Sequence, residues 1–371
     1  MSPAVSLVSV PGAGRGLVLT RDVRGGEVLL RDRAVVVGPS VLSSPADCVG
    51  CYSRPGETSC PGCGSPVCSA ECWEDRHREE CPAVQTLPVP TPSPALWLMI
   101  LRTHLSQDPR LDLLAGLTSP PDKDKYCGVT TARLGIPEAE SARLQAVLSA
   151  NTFRNNTARS LCPVMAMVNH SCQPSCRVYW TSPDTLVLET RRPVRAGEEL
   201  TITYCCTMLA TPSRQTKLLT SKGFQCRCER CRDPGERETQ TGGISCTKCS
   251  QGVLLPHLGQ EGSPLTWSCH CGFTPNTDKV DQRPSNLPDV RLVLQVSRFI
   301  EKLEEEIRYI DMMEEMTGQQ IETKISRYET FLEKKSKLLP DKSYLLIQVA
   351  GNLAILLAKS KKVRTFFSDS L

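Results

Sequence analysis

The sequence predicts a mixed α+β chain: a β-rich core divided by a cysteine-dense module and a helical insert, then a helical C-terminal region. Three observations carry this. Runs rich in β-branched residues, punctuated by glycine and proline, occupy residues 5–37 and return over 176–204. Twenty cysteines fall mostly into clusters. From about residue 289 the apolar residues keep helical spacing. At 371 residues the chain is too long for one simple core, so two or three domains are expected.

The elements follow in order. "GLVLT" and "EVLLRDRAVVVG" read as strands, separated by the turns "PGAGRG" and "RGG". The first cysteine cluster spans 48–81, and a proline-rich linker, "LPVPTPSPA", follows it. Residues 94–117 read as one helix with Leu98, Leu101 and Leu105 on a shared face. "PEAESARLQAVLSANTF" (137–153) reads as a second, with proline at its start and carboxylates in its first turn. Strands return at "CRVYW", "TLVLETR" and "LTITY". Two further cysteine groups span 226–271. Ile300, Leu303, Ile307 and Ile310 then keep helical spacing, as do Ile321, Ile325, Tyr328 and Leu332. "KSYLLIQVAGNLAILLAK" is apolar nearly all round, so stacked helices are expected.

Composition narrows the function classes. Forty per cent apolar and 23% charged is an ordinary soluble balance. A net charge of +4 does not imply direct nucleic-acid binding. No run of about 18 apolar residues occurs, so no membrane span is expected. The opening "MSPAVSLVSVPGAGRG" lacks the basic head and apolar core of a secretory signal. In a reducing compartment, clustered cysteines more often bind metal than form disulfides.

The first cluster offers eight soft ligands in 34 residues: Cys48, Cys51, Cys60, Cys63, Cys68, Cys72, His77 and Cys81. Zinc takes four such ligands tetrahedrally, so eight make two closed sites, which bind and fold rather than catalyse. This spacing resembles the MYND zinc finger. The resemblance implies interleaved quartets, Cys48, Cys51, Cys68 and Cys72 for one zinc, Cys60, Cys63, His77 and Cys81 for the other. The gap from Cys72 to His77 is shorter than MYND fingers usually have. "FQCRCERC" supplies Cys226, Cys228 and Cys231, one ligand short of a tetrahedron, and "MVNHSCQPSC" (167–176) offers Cys172 as the fourth. Cys246, Cys249, Cys269 and Cys271 form a further set of zinc-ribbon character; His270 could compete, but four thiols suffice. About four zinc ions are therefore expected. Cys162, Cys176, Cys205 and Cys206 are expected not to be ligands.

"GAGRG" beside a first strand, "NHSCQPSC", "GEELTITY" and a trailing C-x-C-x2-C, in that order, resemble a SET-domain lysine methyltransferase. A MYND finger inserted after the first strands is similar to the SET and MYND domain (SMYD) family. The third cysteine set resembles the arthropod SmydA-like branch. The resemblance covers roughly residues 5–232 and implies S-adenosyl-L-methionine as cofactor. It divides the chain into an N-terminal SET part (1–47), the MYND finger (48–81), a linker and helical insertion (82–158) and a catalytic SET part (159–205). A post-SET segment (206–232), a zinc-ribbon-like segment (240–275) and a helical region (286–371) follow. That region closes on "TFFSDSL", shorter than the family's usual C-terminal domain, as in a truncated or variant chain.

The resemblance also assigns roles. Gly14, Arg15 and Gly16 form the turn where backbone approaches the donor. Asn169 and His170 contact it, the histidine largely through its backbone; a zinc ligand or a satisfied core histidine is the alternative. Asn151 is either a donor contact or a helix C-cap. Tyr204 matches the catalytic, donor-side tyrosine. Phe224 stacks on adenine or is an ordinary core residue. Three positions depart from the family: Ser175 replaces an asparagine, Lys222 a tyrosine of the lysine channel, and Arg15 a smaller polar residue. A cation at 222 repels an incoming ammonium and removes an aromatic wall, so it weighs against lysine methylation more than against donor binding.

The implied function is S-adenosylmethionine-dependent protein-lysine N-methylation of histone or non-histone lysines. The alternative is a catalytically degenerate adaptor or transcriptional corepressor whose MYND finger binds proline-rich peptides. A monomer resident in nucleus and cytoplasm is expected; "KSKK" is too short for a convincing import signal.

Overall fold

A computed structural model describes residues 3–40, 42–85, 94–117, 132–155, 157–246, 248–249, 251–260, 263, 265–274, 300, 302–313 and 318–359. The proline-rich linker at 86–93, Cys127, residues 286–299, "KSKK" beyond Lys359 and "TFFSDSL" lie outside them. The chain divides into two units, residues 1–204 with 219–224, and 205–218 with 225–371. The segment read as post-SET is thus shared between them.

The first unit is built from short antiparallel sheets. β1 (Val5–Val10) pairs with β2 (Gly14–Leu19), Val10 opposite Gly14. β3 (Val28–Arg33) pairs with the second strand of a hairpin formed much later in the chain. β4 (Val36–Pro39) enters the MYND-like finger, where β5 (Thr58–Ser59) pairs with β6 (Pro66–Val67). β7 (Thr152–Asn155) and β8 (Ala158–Leu161) return beside β4 in the order β4-β8-β7. β9 (Asn169–His170) precedes the hairpin of β10 (Cys176–Ser182) and β11 (Thr185–Thr190), ordered β10-β11-β3. β12 (Thr201–Ile202) closes the unit. Val, Leu and Ile side chains from these strands meet in one core, with Leu17, Leu161 and Leu188 fully buried. In β3, Leu30 and Asp32 turn inward while Arg31 and Arg33 turn out, the period of a half-buried strand.

The helix expected over 94–117 is broken. An α-helix runs Pro94–Leu105 and a 3₁₀ turn runs Pro109–Leu114, with Asp108 accepting the Arg110 N–H as its N-cap. Pro109 lacks an N–H and cannot continue a helix, so a new turn starts there. Leu98 and Leu101 are buried as expected, but Leu105 is 39% exposed at the helix end. The helix expected over 137–153 runs Glu138–Asn151, with Pro137 before its first residue; Thr152 and Phe153 belong to β7.

In the second unit β13 (Ile244–Ser245), β14 (Val253–His257) and β15 (Thr266–Ser268) make a three-stranded sheet around buried Trp267. Helical residues 302–311 and the helices Gly318–Lys335 and Tyr344–Lys359 share a core through Leu303, Ile307, Ile310, Ile325, Tyr328 and Val349. Ile300 packs instead with the small sheet. Glu236, fully buried, accepts from Thr211, Arg214 and Arg230 and fastens the start of the helix Thr211–Lys222. No helix among the described residues is long and apolar enough to cross a membrane.

Candidate active site and metal centres

β9 lies parallel to β12, with Asn169 opposite Thr201 and His170 opposite Ile202. This threads "NHSC" alongside "GEELTITY". The Asn169 amide donates to the Arg15 carbonyl at 3.1 Å and to the Glu199 carboxylate at 2.8 Å. Gly16 sits beneath this junction. A Cβ there would lie 2.7 Å from Asn169 Nδ2 and from Val10 Cγ2, and 2.9 Å from Glu199 Oε1. Only glycine lets the strand pass so close. The Arg15 guanidinium donates to the Ala115 carbonyl at 2.7 Å, which ties it to the residue after the 3₁₀ turn. Ser175, 1% exposed, accepts the Thr201 N–H at 3.0 Å and gives its own N–H to Thr201 Oγ1 at 3.1 Å, pinning β12.

Tyr204 lies two residues past this strand, which is shorter than the expected "LTITY" run. Its hydroxyl donates to the Val168 carbonyl at 2.7 Å and its backbone N–H donates to His170 Nδ1 at 2.9 Å. The other imidazole nitrogen, Nε2, lies 3.3 Å from Cys172 Sγ. With Nδ1 accepting, the neutral ring carries its proton on Nε2 and aims it at the sulfur. Burial, reinforced by the Glu199 charge, pushes the Tyr204 hydroxyl well above its ordinary pKa, so it stays a phenol.

Phe224 and Lys222 reach the same place from "SKGF". The helix Thr211–Lys222 ends because Gly223 takes φ +78 and donates to the Leu219 carbonyl at 3.0 Å, a left-handed cap. The Phe224 ring then lies 6.0 Å from His170 and 6.5 Å from Tyr204, the latter edge-on. Lys222 Nζ sits 5.1 Å from the Tyr204 ring centroid and donates to the Ala150 carbonyl. Burial, with a smaller contribution from Arg159, lowers its pKa. Asn151 donates to Val147 at 2.8 Å, a helix-terminal role.

Three of the cysteine sets among the described residues come together as quartets. In the finger, Cys48, Cys51, Cys68 and Cys72 group together, and Cys60, Cys63, His77 and Cys81 form the second quartet. This is the expected interleaving, His77 included. Sulfur pairs stand 3.5 Å apart (Cys48–Cys72), 3.8 Å (Cys51–Cys68) and 3.5 Å (Cys60–Cys81). A zinc–sulfur bond of about 2.3 Å sets tetrahedral sulfurs roughly 3.8 Å apart, whereas a disulfide needs about 2.05 Å, so the spacing fits zinc. His77 Nε2 points at Cys63 Sγ, 3.1 Å away, while Nδ1 bonds Glu80 at 2.7 Å. Glu80 is held in turn by Arg102. Such a carboxylate fixes the tautomer that leaves Nε2 free for metal. Cys246, Cys249, Cys269 and Cys271 form another quartet, with pairs at 3.9 and 3.8 Å. Cys226, Cys228 and Cys231 lie within 4.8 Å of one another in the second unit; Cys172 is buried in the first. Cys162 and Cys176 are buried outside these sets.

A model of the SET domain matches residues 14–205, the stretch that contains every part of the β9–β12 junction. This chain belongs to the SET-domain family. Within it the relatives are of the SMYD type, SmydA-like. The chain is 28% identical over 300 residues to SET domain-containing protein SmydA-8, isoform B, of Drosophila melanogaster, covering 72% of this chain and 66% of that protein. It is 25% identical to histone-lysine N-methyltransferase ASHR1 of Arabidopsis thaliana, covering 68% and 62%. It is 26% identical to histone-lysine N-methyltransferase SMYD3 of Mus musculus, covering 59% of each. The chain therefore spans less than two thirds of the length of these relatives. Among solved structures it is similar to the SET domain of LSMT bound to MeLysine and AdoHcy, with TM-score 0.34 and 13% identity over 96% of this chain and 85% of that one.

Sequence reasoning assigns no role to several residues of this SET site. Glu199 lies inside the quoted "GEEL", yet its partner Asn169 is 30 residues earlier. Ala150 and Val168 lie inside quoted stretches but act through their backbone carbonyls, and Arg159 acts through its charge, so side-chain patterns do not single them out. Glu80 and Arg102 stand behind the finger; a carboxylate three residues after a ligand histidine is the one signal the sequence offers.

Proposed function

We propose that this SET-domain chain is an S-adenosylmethionine-dependent protein-lysine N-methyltransferase acting on histone or non-histone lysines. One observation supports this above the others: Asn169 joins Gly14–Gly16, which form the start of β2 and not the turn expected from the sequence, to Glu199, while Tyr204 is tied to Val168 and His170 next to it. A carboxylate, an aromatic cluster and close-approaching backbone suit a cationic, adenine-bearing ligand. Bound there, S-adenosylmethionine supplies an electrophilic methyl group on a sulfonium. Gly14, Arg15 and Gly16 present backbone to it, Asn169 and His170 flank it, and Phe224 offers a face to adenine. Asn151 lies one residue from the Ala150 carbonyl and belongs to the same wall. Tyr204 spends its proton on Val168, which leaves its oxygen lone pairs to accept from a lysine amine and orient it. A buried seat favours the neutral, nucleophilic amine.

In this reading Cys172 completes the set begun by Cys226, Cys228 and Cys231, and zinc holds the post-SET segment folded. The MYND finger binds proline-rich peptides, and the protein works as a monomer in nucleus and cytoplasm. The second reading, an adaptor with a silent SET core, draws on Lys222 lying over Tyr204. Transfer of labelled methyl from the donor to mixed histones and cell extract, wild type beside Tyr204→Phe, tests both. Incorporation by wild type that falls about 100-fold or more in the variant supports the enzyme. No incorporation by wild type, with zinc-loaded folded protein, supports the adaptor.

A further inference from the structure

Lys222 is not placed as a helix-terminal lysine usually is. Such a side chain extends its charge into water or back over its own last carbonyls. This one is half-buried and crosses to a different helix, where it donates to Ala150 in the last turn of Glu138–Asn151. A helix C-terminus carries partial negative charge and orphan carbonyls. Arg159 occupies two of its neighbours, donating to Leu148 at 3.0 Å and Ser149 at 3.4 Å. Ala150 is left to Lys222. On its other side the ammonium lies 5.1 Å from the Tyr204 ring, which the His170 and Phe224 rings flank. Two separate cation-favouring features, a helix-end carbonyl and an aromatic face, therefore converge on one point.

We propose that the Tyr204 face and the Ala150 carbonyl form a binding seat for an alkylammonium group, and that Lys222 fills it in cis, so that a target lysine enters only by displacing Lys222. The seat's role in catalysis rests on the methyltransferase reading above. Lys222 is thereby a specificity-determining residue. A substrate must bring enough binding from its flanking residues to evict a resident side chain, so isolated lysine is excluded and a well-docked peptide is not.

The test needs no donor. n-Butylammonium chloride is titrated by ligand-observed NMR into zinc-loaded wild type, Lys222→Met and Lys222→Arg, each first shown to melt cooperatively. Lys222→Gln stands in if Lys222→Met does not fold. The uncharged variant is expected to bind the amine at least tenfold more tightly than wild type, Lys222→Arg no more tightly than wild type. Adding Tyr204→Ala to the uncharged variant should abolish the gain. Equal amine binding in wild type and the uncharged variant overturns the proposal, as does a gain that survives Tyr204→Ala. Calorimetry with S-adenosylmethionine runs separately. Failure of every chain to bind the donor rejects the methyltransferase reading, while the amine comparison still decides whether the seat exists.

Discussion

The backbone N–H of Tyr204 donates to Nδ1 of His170 at 2.9 Å, and the far nitrogen of that imidazole lies 3.3 Å from Cys172 Sγ. One ring thus connects a cysteine expected to bind zinc with the tyrosine expected to orient the amine. Cys172→Ser removes the sulfur and, with its shorter side-chain bond, draws the atom facing Nε2 back from the ring. Donor affinity is expected to fall roughly 10-fold, the lower end of what loss of a metal-site partner costs. Zinc content should fall by about one equivalent. Calorimetry and elemental analysis read both. Unchanged values for both would show that Cys172 neither binds metal nor positions His170.

Gly16 admits no side chain without movement. Gly16→Ala places a methyl 2.7 Å from Asn169 Nδ2 and 2.9 Å from Glu199 Oε1. The Asn169–Glu199 bond has to lengthen or the strand has to shift, at a cost of about 1–3 kcal/mol. Donor affinity should drop at least as much as stability. The midpoint of urea unfolding and donor titration measure the two. A stable variant with full donor affinity would remove the start of β2 from the donor site.

What the sequence makes legible here depends on how far apart the partners lie. The finger's eight candidate ligands are readable because they crowd into Cys48–Cys81, and their division into two quartets is readable through the resemblance of that spacing to the MYND finger. The β10–β11 hairpin is readable because its alternation is local. The break at Pro109 is readable too, through Asp108–Pro109, but the apolar spacing of Leu98, Leu101 and Leu105 argues the other way and hides it. Tertiary neighbours carry no such signal. Glu80 and Arg102 are 22 residues apart, and Asn169 meets a carbonyl 154 residues earlier. Lys222 is visible as a departure from the family, yet nothing local says that its amine ends on Ala150.

Zinc should be present near four equivalents. Twelve candidate ligands stand in three quartets, Cys48 to Cys81 giving two and Cys246 to Cys271 giving one. Cys172 with Cys226, Cys228 and Cys231 makes the proposed fourth. Elemental analysis of undamaged protein should approach four. Two or fewer would refute the ligand assignment. Glu80→Gln should loosen one finger zinc by about 10–100-fold, because it weakens the partner that orients His77. Release to a chromogenic chelator measures this. A release rate equal to wild type would mean Glu80 serves Arg102 alone.

Asp184, in the β10–β11 turn, accepts from Arg33 at 2.8 Å and from Arg76 of the finger helix at 2.7 Å, and Ser182 donates to its other oxygen at 2.8 Å. Burial alone would raise its pKa. The bonds from Arg33, Ser182 and Arg76 outweigh burial and hold the carboxyl well below the usual carboxylate range. A depressed folded-state pKa stabilises the fold at pH values above the unfolded-state pKa. That contribution is lost as pH falls through the folded value. Asp184→Asn keeps the shape and removes the charge. Arg33 is mostly exposed, so the loss at neutral pH should be about 1 kcal/mol, or some 2–4 °C in melting temperature. The gap between wild type and variant should be full from pH 6 to 8 and should narrow once the pH drops below about 4, the unperturbed aspartate value. Urea melts of both chains across that range check the sign. A gap that widens toward acid would mean that Asp184 is protonated in the folded protein and that the Arg33–Asp184–Arg76 bridge between sheet and finger does not form.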